Sequence, residues 1–274
     1  MTDTPDFLTR IIEQKRVRLA HAKSLRSLAA VRAEALSVRE AQGCRSHALR
    51  AALAREQGYN VIAEIKRASP SLGDIRRDAA PADVALRYET GGAAAISVLT
   101  EEDHFKGALE DLQAVRAATR LPLLRKDFIF EEWQLYEAAA ARADALLLIV
   151  AALDDATLAR LRQITEDELG MDALVEVHTL EELRRAAGCG ANIIGVNNRN
   201  LHTFAVSLET SVELIDAAPP GALLVSESGL RTHADLRRLK SLGYHGFLIG
   251  ETLMRAGDPS RALRELLSEQ TADG

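Results

Sequence analysis

Charged and amide side chains recur at the ends of short apolar runs in this chain. Glu64 and Lys66 close VIAEIK (61–66), and Lys126 closes LPLLRK (121–126). Glu176 stands in DALVEV (172–177), and Asn197 closes NIIGVN (192–197) with Arg199 just beyond. Glu227 and Ser228 close ALLVSES (222–228), and GFLIG (246–250) ends at Gly250 before Glu251. If the runs are strands, residues two apart share a face. Glu64 and Lys66 then lie with Ile62, Lys126 with Leu124, and Glu176 with Leu174, while Val61, Ala63 and Ile65 face the other way. An inward ammonium or carboxylate is costly unless it is paired or wetted by a cavity. Charge on the inner face of several strands therefore predicts a polar pocket at one mouth of a sheet. The chemistry such a pocket suits is proton transfer, because an ammonium beside a carboxylate can be tuned toward working pH. Lysine is scarce here, with six lysines among 34 basic residues, and two of the six stand at these run ends. A compact, titratable ammonium in place of arginine is what acid–base work asks for.

A phosphate site is the next inference. The loops after the last two runs begin ESGL (227–230) and IGETLM (249–254), and Ser228, Gly229 and Gly250 offer small residues and bare backbone N–H groups there. Ser69, in KRASPS after the first run, adds a hydroxyl. Metal is not expected: the seven histidines are scattered, and Glu176 with His178 on one face makes a weak ligand pair. SESG lacks the GxSxG elbow of a serine hydrolase. No cofactor motif is visible.

The elements that must hold these groups follow from periodicity. The remaining runs, AAAISVL (93–99) and DALLLIV (144–150), bring the total to eight, each of strand length and rich in Val, Ile and Leu. Between them lie helical segments with recognisable ends. Pro81 starts PADVALRYETGGA and Gly91-Gly92 closes it; Asp154 opens the next clear case before Gly170; Thr179 with Glu182 and Thr232 with Asp235 form capping-box patterns. Strands alternating with helices predict a parallel α/β sheet, and eight such units predict a closed (β/α)8 TIM barrel spanning 61–274. An open doubly wound sheet is disfavoured, since no GxGxxG follows any strand. Residues 1–60 precede the repeat. DFLTRIIEQKRVRLAHAKSL and ALRAALAREQG (48–58) read as amphipathic helices of an N-terminal extension, docked over one end or along the side, so that 1–274 forms a single domain. In a barrel, catalytic groups gather at the C-terminal strand ends, where the polar set stands.

Composition excludes several classes. A formal charge of −6 with 4% aromatic residues carries no signal for nucleic acid, which calls for phosphate neutralisation and base stacking. The longest apolar run, 145–153, is far short of the roughly 20 residues a membrane helix needs, and MTDTPDFLTR has acids where a secretory signal is basic. The only cysteines, Cys44 and Cys189, form neither a disulfide framework nor a CxxC site, which favours a reducing, cytoplasmic setting. No sustained heptad is present, so a monomer is expected.

The ordered motifs VIAEIKRASPS, ISVLTEEDHFKG, PLLRKDFI, LLLIVAAL, LVEVH, IGVNNRNL, SESGL and FLIGETLM resemble those of indole-3-glycerol-phosphate synthases, from about residue 7 to residue 267. The resemblance implies ring closure, decarboxylation and dehydration of 1-(2-carboxyphenylamino)-1-deoxyribulose 5-phosphate, a step of tryptophan biosynthesis that needs no cofactor and takes a small sugar phosphate as partner. It implies Lys126 as general acid at the ketone oxygen and Glu176 as base in the dehydration. Lys66 would orient the substrate carboxylate or donate a proton, with Glu64, Asn197 and Ser228 completing the catalytic set. Ser69, Gly229, Gly250 and Glu251 would hold phosphate with Arg199 nearby, while Phe105 and Leu148 would line the apolar side for the aromatic ring. It also implies no second, fused barrel. Departures are Leu72 and Asp74, where Lys and an apolar residue are more usual, Arg142 for a usual Gly, and Ala205 for a usual acid. A Schiff-base aldolase-type barrel using Lys126 or Lys66, and a catalytically silent interaction barrel, are the alternatives.

Overall fold

The computed structural model describes residues 7–41, 45–201 and 203–268; Cys44 and His202 lie outside them. Eight parallel strands close into a barrel in chain order: β1 (Asn60–Ile65), β2 (Ala95–Leu99), β3 (Leu123–Lys126), β4 (Ala145–Ile149), β5 (Asp172–Val177), β6 (Ile193–Asn197), β7 (Leu223–Glu227) and β8 (Gly246–Ile249). The ring shuts where β1 pairs β8, with Asn60 opposite Gly246 and Ala63 opposite Ile249. The strands stand where the apolar runs predict them, because parallel strands are buried on both faces and read as nearly continuous Val/Ile/Leu.

The alternation along each strand sorts the core into two layers. Ile62, Leu124, Leu147, Leu174, Ile193, Val225 and Leu248 pack inside the barrel. Val61, Ala63, Ile65, Leu146, Leu148, Val175 and Val196 point outward into the layer beneath the helices. The helices that cover them begin and end as the capping signals predict. Pro81 starts α4 (Pro81–Gly91) and Gly92 closes it at φ +94°. Asp154 accepts from Thr157 N at 2.8 Å to open α7 (Asp155–Gln163), which runs into a π-helical turn, Ile164–Glu168, before Gly170. Thr232 and Asp235 cap α10 (His233–Leu242) reciprocally. At α8 (Leu180–Gly188) the box is only half made. Thr179 accepts from Glu182 N, while the Glu182 carboxylate takes the backbone N–H of His178 at 2.7 Å. Arg142, in place of the glycine usual in the resembling family, has φ +67°, the conformation for which glycine carries no steric cost.

The extension uses both docking modes. Helix α1 (Phe7–Leu25) runs over the C-terminal mouth, where Lys15 inserts its ammonium 2.9 Å from both Asp127, just past β3, and Glu102, past β2. Asp127 is buried, and it also accepts from Thr100 Oγ1 at 2.7 Å and pairs with Arg125 at 3.1 Å. Helix α2 (Leu28–Glu40) packs against α6 (Glu132–Ala140) on the barrel's side. The sequence pattern does not single out α2, because only Val31 and Ala35 of its face are buried. Helix α3 is Ala48–Leu53, shorter than the 48–58 segment reads. Asn60 Nδ2 caps its exit by donating to the Leu53 and Arg55 carbonyls. Leu49 and Leu53 of α3 plug the barrel floor. No helix among the described residues is long and apolar enough to cross a membrane.

Candidate active site

A cavity of about 380 Å³ opens at the C-terminal strand ends. Its centre is an ammonium between two carboxylates: Lys126 Nζ, on β3, lies 2.7 Å from Glu176 Oε2 on β5 and 3.1 Å from Glu227 Oε2 on β7. Two strands round the ring, just past β1, Lys66 Nζ donates to Glu64 Oε1 at 2.5 Å. All five charged groups have side chains at most 16% exposed, so each depends on the others for charge compensation. The alternation that places Ile62, Leu124, Leu174 and Val225 inside is what aims these side chains at one another.

Their electrostatics are unequal. Burial alone would lower the Lys126 pKa, but Glu176, Glu227 and Glu64 outweigh it and hold the ammonium above the ordinary lysine value. Burial would raise Glu176, yet Lys126 and His178 outweigh it, and with a hydrogen bond from Asn197 they hold its carboxyl at about 2. Glu227 goes the other way. Burial, abetted by the neighbouring Glu176 charge, pushes it up to about 8 against the pull of Lys126. Two carboxylates with pKa values driven apart around one ammonium form an acid–base pair with assigned sides.

Room for this triad comes from glycine. A Cβ on Gly195, inside β6, would overlap Glu227 Oε1, and a Cβ on Gly250 would overlap Glu64 Oε1. A catalytic group shifted by about 1 Å can cost 10²-fold in rate. Gly195→Ala is therefore expected to lower kcat by about tenfold or more in a folded protein. A variant within twofold of the parent rate would show that Glu227 tolerates displacement.

The far end of the cavity carries the small residues. Ser69 Oγ is buried without a hydrogen-bond partner. Ser228 and Gly229 take φ +65° and +84°, and a Cβ on Gly229 would come 2.7 Å from Val206 Cγ1, so only glycine fits. Gly250 is the N-cap residue of the short helix Glu251–Arg255. The Glu251 carboxylate lies 3.4 Å from Arg255, so what Glu251 can offer an anion is its backbone N–H. Arg199 reaches over to the loop after β1, donating to Ser71 Oγ at 3.4 Å and to the Phe204 carbonyl at 3.2 Å. In that loop Leu72 lines the cavity, while Asp74 turns aside to Arg77. Phe105 and Phe128 face each other at 6.3 Å on the apolar wall.

Leu148 does not belong to that wall. Its side chain is fully buried in the outer layer, and its neighbours Leu147 and Ile149 line the cavity. The strand alternation requires this, because Leu147 pairs with Leu174 and Ile149 with Glu176, both inward. The remaining site residues read from the sequence, Glu64, Lys66, Ser69, Phe105, Lys126, Glu176, Asn197, Arg199, Ser228, Gly229, Gly250 and Glu251, all line the cavity. Others join them without having been assigned a part. Glu227 is one, signalled by its inward parity with Val225. Arg231 and Arg255 add positive charge beyond β7 and β8, and Phe7 and Leu8 arrive from α1. Phe7 stacks edge-on with His104 at 5.2 Å and Phe204 at 5.3 Å, tying the loops after β2 and β6 together above the opening.

Known proteins carry the same signature. The family profile described as indole-3-glycerol phosphate synthase matches residues 8–266. The indole-3-glycerol phosphate synthase of Carboxydothermus hydrogenoformans is 47% identical over 270 residues, covering 96% of this chain and all of the relative. That of Aromatoleum aromaticum is 46% identical over 261 residues, covering 95% of this chain and 98% of its own. Among solved structures, 3-hexulose-6-phosphate synthase from Salmonella typhimurium shares the fold, with TM-score 0.61 and 13% identity over 76% of this chain and 96% of that chain. The barrel, the paired ammonium and carboxylate groups at its mouth and a profile spanning nearly every described residue agree, and the chain belongs to the indole-3-glycerol phosphate synthase family, carboxy-lyases of tryptophan biosynthesis.

Proposed function

We propose that Lys126 is the general acid of the family's ring closure, with Glu176 and Glu227 as its proton partners. The observation that carries this is the ammonium held between two carboxylates inside the cavity. As the aromatic carbon attacks the substrate ketone, the proton on Lys126 Nζ passes to the developing alkoxide, and loss of CO₂ restores aromaticity. Glu176 then loses its nearest cation, so its basicity rises at the moment a base is needed. It takes the proton released in the dehydration, in which the new hydroxyl leaves as water. Lys66, steadied by Glu64, faces the substrate from the end of β1, where it orients the carboxylate before decarboxylation or donates to the leaving hydroxyl. Asn197 holds Glu176 in place. Ser69, Arg199 and the backbone N–H groups around Ser228, Gly229, Gly250 and Glu251 receive the phosphate, and Phe105 with Leu147 packs on the aromatic ring.

A Schiff-base reading is not favoured. An amine nucleophile needs a lowered pKa, and the carboxylates around Lys126 raise it. We further infer that the protein works as a cytoplasmic monomer in which extension and barrel form one unit, without nucleic acid as a partner; the Lys15–Asp127 pair supports the single unit. The test is direct. Folded protein mixed with the carboxyphenylamino-deoxyribulose phosphate, without added metal or nucleotide, should develop indole fluorescence, and a flat trace would refute the reading.

A further inference from the structure

His178 follows Glu176 by two residues, just past the end of β5, and takes no place in the cavity wall. Both of its ring nitrogens face carboxylates: Nδ1 lies 3.2 Å from Glu182 Oε2 at the start of α8, and Nε2 lies 3.5 Å from Glu176 Oε1. The side chain is 10% exposed, and Nε2 is buried without a hydrogen-bond partner. A neutral imidazole carries one N–H, so it would set a lone pair against one of the two carboxylates. Only the doubly protonated ring satisfies both. The half-made capping box of α8 has the same origin, since Glu182 abandons its N-cap amide to take the backbone N–H of His178.

We propose that His178 is a positioning residue, an imidazolium clamped by Glu182 that orients Glu176 and keeps it anionic, so that the proton of the catalytic pair stays on Lys126 until the substrate carbonyl takes it. The charges alternate across the site from Glu182 through His178 and Glu176 to Lys126, with the Glu227 carboxyl beyond it. The titratable groups facing His178 are Glu176 two residues before it, Glu182 on the following helix and Glu227 on β7. Asn197 on the adjoining β6 is neutral, Ile149 at the end of β4 is apolar, and Arg185 of α8 turns away to the Val150 and Leu153 carbonyls. Burial lowers the ring's pKa, but these three carboxylates outweigh it and set it above the ordinary histidine value. The proposal rests on the acid–base reading of Lys126 and Glu176.

The charge of His178 is readable without activity, by ¹⁵N NMR titration of the histidine ring in the full-length protein. An imidazolium at pH 7 is expected, with the midpoint falling by about one unit in Glu182→Gln. Kinetically, kcat should step down as pH rises through the midpoint seen by NMR, and the step should move with it in Glu182→Gln. His178→Gln should sit on the low plateau, with kcat about tenfold down, KM within about twofold and that step gone. A neutral ring at pH 7 overturns the proposal, as does a kinetic step that stays put while the NMR midpoint moves. A His178→Gln variant of undiminished kcat also overturns it. If His178→Gln does not fold, Glu182→Gln carries the test with the ring in place. Failure of the underlying acid–base reading would appear separately, as an active Lys126→Ala protein.

Discussion

Lys126→Ala is expected to lower kcat by at least about 10²-fold, the low end of general acid catalysis, with a smaller change in KM. The side chain does two jobs that no neighbour can take over. In the proposed mechanism it supplies the proton to the ketone oxygen, and it is the nearest cation holding the Glu176 carboxyl down at about 2. Without it, Glu176 and Glu227 face one another in a buried space, and two such carboxylates cannot both remain charged. Glu227, already pushed up to about 8, then retains its proton at neutral pH, and no ammonium is left for either to share. Lys66 does not rescue the step, because it is bound to Glu64 at the end of β1, two strands round the ring. Stopped-flow fluorescence at saturating substrate measures the loss, and a thermal melt shows whether the variant is folded. A folded variant of unchanged rate would remove the assignment while leaving family membership untouched.

Much of the architecture was legible because parallel strands advertise themselves as apolar runs and their helices as capped, glycine-terminated segments. The catalytic pole was legible for a related reason: an ammonium or carboxylate on the inner face of a strand breaks a pattern that otherwise pays no polar cost. Period-two alternation told Lys126 and Glu176 apart from surface charges. Applied to β4, it also places Leu148 outside the barrel, where the structure has it, and the residues of β4 that line the cavity are Leu147 and Ile149. What sequence order could not express was contact across the ring. Glu227 stands at a strand end like the others, but its part depends on the ammonium of β3 reaching β7, four strands on. Gly195 reads as one more small strand residue until Glu227 is seen to occupy the space beside it. Lys15 is a polar residue of an amphipathic helix until its ammonium is found on Asp127, 112 residues later. Helix α2 went unread for the opposite reason, a buried stripe too thin to show in the pattern.

Glu227→Gln should produce a loss of similar size, and its pH dependence makes the result diagnostic. With its carboxyl up to about 8, Glu227 holds a proton at neutral pH beside an ammonium that has just given one away, so it is placed to recharge Lys126. Above about 8 the carboxyl is ionised, that source is gone, and kcat should fall along an alkaline limb. Glutamine keeps the shape and a hydrogen bond but has no proton to lend. The variant is expected to lose about 10²-fold in kcat near neutrality and to lose the limb as well. Stability gives an independent reading of the same group. A carboxyl whose folded pKa is raised holds a proton that the unfolded chain releases, so its contribution is complete below the unfolded value, about 4.3, and is lost as pH rises toward 8. Urea unfolding of the parent should therefore weaken across that window, while Glu227→Gln, with nothing to titrate there, should give a flatter profile. A variant that keeps the alkaline limb at the same pH, or keeps kcat within threefold of the parent, would take Glu227 out of the proton path and leave Lys126 to be recharged by Glu176 alone.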